Sequence, residues 1–220
     1  METLTRTDNT ALTRAQRRWV AAFVIVVSGY VAAQMLSDIA SLRILSLFGF
    51  SVDGGTLVYP LTFTLRDLVH KVAGLRAARW AIAVAAVVNL VMAALFWIVG
   101  NLPADLAVGP QPEFAALLAP VWRIVFASII AEVISELIDG SIYERWTEYF
   151  GNRHQWGRVL SSNSVALPID SAIFVLIAFA GDVPTDVLWS IFWANVIVKG
   201  AVTVGSIPLI YSVPAPERPF

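Results

Sequence analysis

Sixteen residues, Ser128 to Tyr143 (SIIAEVISELIDGSIY), hold the densest run of chemically capable groups in an otherwise apolar stretch. Read as a helix, Ser128, Glu132, Glu136, Asp139 and Tyr143 recur at three- and four-residue steps, so one stripe carries a hydroxyl, three carboxylates and a phenol. Val165 to Phe174 (VALPIDSAIF) echoes it: Ile138 to Tyr143 and Ile169 to Phe174 share the pattern Ile-Asp-small-small-Ile-aromatic, with Asp139 and Asp170 31 residues apart. Carboxylates so placed can accept paired donors, relay protons or hold a cation. In water the stripe would be the polar face of an amphipathic helix. In a bilayer the acids must face an interior cavity or one another, because exposing them to lipid costs several kcal/mol.

Composition decides between these settings. Of 220 residues, 58% are hydrophobic and 14% charged, against about 25% charged in soluble domains, and the mean hydropathy is +0.72. The chain is therefore expected to be an all-α integral membrane protein. Trp19 to Ser37 and Trp80 to Ala104 contain no charge and approach or exceed the roughly 18 to 20 residues that cross a hydrocarbon core. Other spans are interrupted by Arg66, Asp67, Arg123, Glu132, Glu136, Asp139, Asp170 and Lys199. With no cysteine there is neither disulfide nor thiolate metal site, and a net charge of −1 gives no support for a nucleic-acid partner.

Three parts follow: a polar cytoplasmic segment at 1–18, a six-helix membrane domain at 19–211 and a Pro-rich cytoplasmic tail at 212–220. The first span, opened by Trp19, is read as an uncleaved anchor, although its basic flank and Val31-Ala32-Ala33 imitate a signal peptide. In it Gly29, Ala33, Ser37 and Ser41 form a small-residue stripe, suited to internal packing or to docking an energising partner. Ile44 to Gly55 reads as a loop or re-entrant piece. The second span is Thr56 to Val72, with Arg66 and Lys71 taken as charges at a helix end, and the third runs from Trp80 to about Gly100. A Pro- and Gly-rich loop precedes a long fourth helix, Phe114 to about Trp146, in which Arg123 is expected to snorkel. His154 sits in a basic aromatic loop, Val159 to Ala180 is the fifth span, and Val187 to Tyr211, with Asn195 and Lys199 inside it, is the sixth.

Cations and acids alternate between successive loops. Arg14, Arg17, Arg18, Lys71, Arg76, Arg79, Arg145, Arg153 and Arg158 fall on one side, and Asp53, Asp105, Glu113, Asp182 and Asp186 on the other with Arg43 alone. This pattern places both termini in the cytoplasm. Trp19, Trp80, Trp97, Trp122, Trp146, Trp156 and Trp189 fall near span ends, as an interfacial belt requires, and Trp193 falls deeper.

Four readings compete for Glu132, Glu136, Asp139 and Asp170: structural acids neutralised by Lys199, Arg123 or Arg66; a proton or cation relay; a polar-solute site where the repeated helices meet; or intramembrane catalysis. There is no HExxH, nucleophile elbow, GxGxxG or P-loop, so an enzyme is not expected, nor any cofactor or metal.

Three blocks narrow the choice. YPLTFTLRDLVHKVAG (Tyr59 to Gly74), RIVFASIIAEVISELIDGSIYERW (Arg123 to Trp146) and RHQWGRVLSSNSVALPIDSAIFVLIAF (Arg153 to Phe179) resemble, in order and spacing, the signature blocks of the YhhQ/VUT family of queuosine precursor transporters. The resemblance implies a six-helix protein of the multi-pass plasma or inner membrane, similar in fold to the substrate-binding components of energy-coupling-factor vitamin transporters. It further implies import of a 7-deazaguanine such as preQ0 or preQ1. In that family the first block carries a Thr-Asp pair and the later two Ser-Gln-x-x-Asp. Here Asp67, Ser135, Asp139 and Asp170 match, while Arg66 replaces Thr, His70-Lys71 stands where Ser-Glu is common, Glu136 replaces Gln, and Ala166-Leu167 replaces Ser-Gln ahead of Pro168.

The implied substrate-binding set is Asp139, Asp170, Glu136, Glu132, Asp67, Ser135, Asn163 and Lys199, with Tyr143, Phe174 and Phe63 as apolar walls for a flat ring. One carboxylate can accept the adjacent N–H and NH2 of a guanine-like edge, and a second acid would suit a cationic aminomethyl group. The alternatives are an importer of another nucleobase or vitamin, and a non-transporting structural protein. ATP could act only through energising partner subunits, and a homo-oligomer is left open.

Overall fold

The computed structural model describes residues 13–105, 107–150 and 155–212. Helix α1 (Arg14–Ala40) starts where Thr13 and Gln16 cap each other: Gln16 N donates to Thr13 Oγ1 at 3.2 Å and Thr13 N to Gln16 Oε1 at 2.8 Å. After Ser41 the chain folds into an antiparallel hairpin, β1 (Ile44–Leu47) against β2 (Phe50–Asp53). Its two-residue turn puts Phe48 and Gly49 at φ 52° and 84°, the positive values that match a hairpin's twist. A 3-10 turn (Gly54–Leu57) leads into α2 (Tyr59–Ala73), and Gly74, at φ 86°, separates it from α3 (Leu75–Asn101). Four further helices follow: α4 (Pro112–Leu118), α5 (Val121–Phe150), α6 (Gln155–Phe179) and α7 (Thr185–Ser212).

Among the described residues five helical segments are long and apolar enough to cross a membrane: Gln16–Ala40, Arg76–Asn101, Pro112–Asp139, Leu160–Phe179 and Thr185–Gly205. The expected second span is shorter than its sequence suggested. It begins at Tyr59 rather than Thr56 and has 15 residues, a rise of about 22 Å against a hydrocarbon core of roughly 30 Å. Instead of standing alone in lipid, α2 is packed on α1, α3 and α7.

Two other expectations need correction. Ile44 to Gly55 is a folded hairpin, whose Val52, Asp53, Gly54 and Gly55 are buried. Its inner end fits because Gly54 and Gly55 lack side chains: a Cβ on Gly55 would strike Ser41 Oγ and come within 2.7 Å of the Ser37 carbonyl oxygen. The fourth helix is broken by a turn at Ala119-Pro120, since proline lacks the N–H that would continue the ladder.

The small-residue stripe of α1 is used inside the fold. Ala33, Ser37 and Ser41 are buried, the two serines against the 3-10 turn, and Gly29 faces Leu65 of α2, so this stripe is not a free docking face. The most extensive helix pair is α5 with α6. There Ile124, Ala127 and Ala131 meet Phe174, Val175 and Ala178, and Ile191 of α7 closes the cluster. A second cluster joins Tyr30, Val69, Ala78, Ala81 and Ala85 across α1, α2 and α3. The outside is apolar as well: Ile25, Val87, Val91, Leu176, Ile197 and Val204 are exposed, and so is Trp193. An apolar exterior around polar contacts is the arrangement lipid demands.

Candidate functional site

The repeated motif is brought together by antiparallel packing of α5 on α6. Asp139 and Ser135, one turn apart on α5, and Asn163, Ala166, Leu167 and Asp170 on α6 line one cavity, closed on its third side by Phe63 and Arg66 of α2. Its volume is about 10 Å³, room for a single water. Asp139 is half-buried, whereas Asp170 is 2% exposed. Pro168, inside α6, cannot donate to the Ser164 carbonyl, so the helix lacks one rung beside the cavity.

Asp170 also lines a second cavity of about 10 Å³, with Ser37, Tyr59, Ser128, Phe174, Asn195 and Lys199. The second cavity holds an ion pair: Lys199 Nζ donates to Asp170 Oδ2 at 2.6 Å with both side chains 2% exposed. The ammonium lies 4.3 Å from the Tyr59 ring centroid and 5.8 Å from that of Phe174, adding cation–π attraction in a dry setting. Ser135 Oγ is 3.3 Å from Asp170 Oδ1 and 3.1 Å from the Glu132 carbonyl, and its one hydrogen serves one of them at a time.

Glu132 lines neither cavity. It faces α1, where Tyr30 OH donates to Oε1 at 2.6 Å and Gln34 Nε2 to Oε2 at 3.0 Å. One turn earlier on α5, Ser128 Oγ contacts Asp38 Oδ1 at 2.7 Å. The hairpin carries a further buried acid: Asp53 accepts from Ser41 Oγ, Thr56 N, Thr56 Oγ1 and Asn195 Nδ2 at 2.6 to 3.1 Å, tying β2 to α1 and α7. Arg123 does not join the acid stripe. It pairs with Asp182 and donates to the carbonyls of Ile177 and Ala180 at the end of α6.

Of the sequence-derived set, Asp139, Asp170, Ser135, Asn163 and Phe63 share one cavity, while Phe174 and Lys199 join Asp170 in the other. The side chains of Asp67, Glu136 and Tyr143 lie outside the described residues, as do His154 and the terminal segments 1–12 and 213–220. Sequence reasoning passed over Arg66, placed at a headgroup-level helix end but in fact a cavity wall stacked 5.3 Å from the Phe63 ring centroid. It also passed over Tyr30, Gln34, Asp38, Asp53 and Asn195. A signal for the first three was present, since residues 30, 34 and 38 stand at i, i+4 steps on α1.

No solved structure matches this chain. A Bacillus subtilis (strain 168) protein named "Probable queuosine precursor transporter" is 26% identical over 194 residues, covering 84% of this chain and 83% of its own. The family described as "Putative vitamin uptake transporter" matches residues 53–213, from the buried hairpin acid through α7. That match contains every residue that lines the Asp139–Asp170 cavity and every helix from α2 onward, while Ser37 and Ser41 of the other cavity lie before it. The chain belongs to this transporter family and is not an enzyme.

Proposed function

We propose that the chain imports a 7-deazaguanine precursor of queuosine, preQ0 or preQ1, across a prokaryotic cell membrane, with Asp139 and Asp170 holding it between α5 and α6. The observation that carries this reading is that the two aspartates of the repeat line one cavity with Ser135, Asn163 and Phe63, in a chain similar to a protein named for that substrate. A guanine-like edge offers adjacent N–H and NH2 donors that one carboxylate accepts together, and Phe63 and Leu167 supply apolar walls. Asp170 is engaged by Lys199, so the ligand competes with the ammonium for it. A bicyclic base exceeds the cavity, so binding widens the α5–α6 seam. Asp67, Glu136 and Tyr143 complete the proposed site. Glu136, a turn from Asp139, favours a ligand bearing an ammonium, so preQ1 binds better than preQ0, and Glu136→Gln narrows the difference by weakening preQ1. An unchanged preference would remove Glu136 from this role.

The test is binding and uptake of labelled 7-deazaguanine. Asp139→Asn and Asp170→Asn are each expected to weaken it about tenfold or more, as loss of a charged hydrogen-bond partner does. Full activity in both, at normal expression, would remove these residues from the site. The family description favours a second reading, import of a vitamin or other nucleobase. Native mass spectrometry against deazapurines, purines and vitamins separates the two, and a structural protein would retain no solute. Uptake by this chain alone in liposomes would exclude an obligate ATP-driven partner.

A further inference from the structure

We propose that Asp38 binds a proton inside the membrane and that this proton enters with the substrate, an inference that rests, for its second half, on the transport reading. Four buried acids can be compared. Asp53 accepts four hydrogen bonds, Asp170 an ammonium and a hydroxyl, and Glu132 a phenol and an amide. Asp38, 2% exposed near the end of α1, has the Ser128 hydroxyl as its single hydrogen-bond partner among the described residues, and no described cation within ion-pair distance. An ionised carboxylate out of water needs several donors or a countercharge. A protonated one needs a single acceptor, which Ser128 Oγ at 2.7 Å provides.

A second observation lies one turn along α1. Gln34 is 4% exposed, and its Nε2 donates to Glu132 and reaches Tyr30 OH at 3.3 Å, contacts that hold the amide in this orientation while Glu132 is ionised. Its Oε1 is buried with no donor. This ladder of α1 against α5 therefore has an acceptor in excess and lacks a hydrogen.

The surrounding charges leave the role to Asp38. Tyr59 of α2 is within electrostatic range of Asp38, Glu132 and Asp170, Arg66 is within range of Tyr30, and Lys199 of α7 is committed to Asp170. From the hairpin, Asp53 is held by its own donors, and Arg43 is exposed. On α3, Arg76 and Arg79 are exposed in the first turns, more than three turns from Met92, which packs beside Met35 and Ile39.

The hydroxyl between them supplies the coupling. When Asp38 is ionised, Ser128 gives it its hydrogen. When Asp38 is protonated, it donates to Ser128 Oγ, and the hydroxyl keeps its own hydrogen and turns it toward the cavity that Ser128 lines with Lys199 and Asp170.

Infrared pH titration of the purified protein, without substrate, should show a protonated-carboxyl C=O band that disappears in Asp38→Asn and persists in Asp53→Asn. A band indifferent to Asp38→Asn would overturn the proton site. In liposomes, an inside-alkaline gradient of one unit should raise accumulation of labelled preQ1 about tenfold for one proton per substrate, with Asp38→Asn retaining exchange but losing this response and Asp38→Glu regaining it. Accumulation that follows sodium or ignores both gradients would overturn the coupling. If wild type carries no 7-deazaguanine at all, the transport reading and the coupling fall, and the infrared band alone decides the proton site. Should Asp38→Asn not fold, Ser128→Ala is expected to move the pH at which the band titrates, and an unmoved band would overturn the assignment.

Discussion

At the scale of single residues, the Lys199–Asp170 pair is the most consequential contact in the membrane. Breaking a buried pair by removing one partner costs about 3–5 kcal/mol, because the other charge is left stranded, whereas replacing both by apolar groups can be neutral. Lys199→Met is therefore expected to lower the melting temperature in detergent sharply, and Lys199→Met/Asp170→Leu to recover most of that loss while failing to bind a 7-deazaguanine. A double variant no more stable than Lys199→Met would mean that Asp170 does not carry the penalty. Type and spacing made Asp139, Asp170 and Ser135 legible in the sequence, because acids inside apolar runs stand out. Asp38 and Asp53 did not stand out. Each sits at the edge of an apolar stretch, where an acid is read as a loop or headgroup residue, and only the tertiary fold buries them, setting Asp38 against Ser128 of α5 and Asp53 against α1 and α7.

At the scale of elements, that hairpin is held by hydrogen bonds more than by apolar area. Asp53 joins it to α1 and α7, and Ser51 N donates to Ser190 Oγ of α7 at 2.7 Å. Asp53→Ala strands several buried donors, each costing about 1–3 kcal/mol, and Gly55→Ala places a methyl group against Ser37 and Ser41. Both should loosen the hairpin first, measured as faster hydrogen exchange across 41–57 with α5 and α6 protected. Uniform loss of protection would mean the hairpin is an inseparable part of the core. The helices themselves were readable from hydropathy to within a few residues, apart from the breaks at Pro120 and Val58. The hairpin was not, because Asp-Gly-Gly reads as a turn whether the chain around it is exposed or packed, and here the glycines mark close backbone approach.

At the scale of the whole molecule, one side of the bundle gathers the end of α1, the hairpin, and the α6–α7 turn, and from the charge alternation of the loops we propose that this side faces the exterior. We propose six crossings, with α2 counted as a short one. The chain has no cysteine, so single substitutions report sidedness directly. Ala107→Cys should react with an impermeant maleimide in intact cells, and Arg76→Cys only after permeabilisation. If α2 does not cross, Arg76→Cys reacts from outside and the count falls to five. The Arg123 fork bears on how such a bundle can move. By gripping Asp182 and the last carbonyls of α6, it fastens the start of α5 to the end of α6, while residues 151–154 join the other ends of the same two helices. The cavity between Asp139 and Asp170 therefore lies in a frame closed at both ends, beside the missing rung at Pro168 of α6. On this frame we expect room for a ligand to come from bowing of α6 at Pro168 and from withdrawal of α2, whose Phe63 and Arg66 form the remaining wall of the cavity.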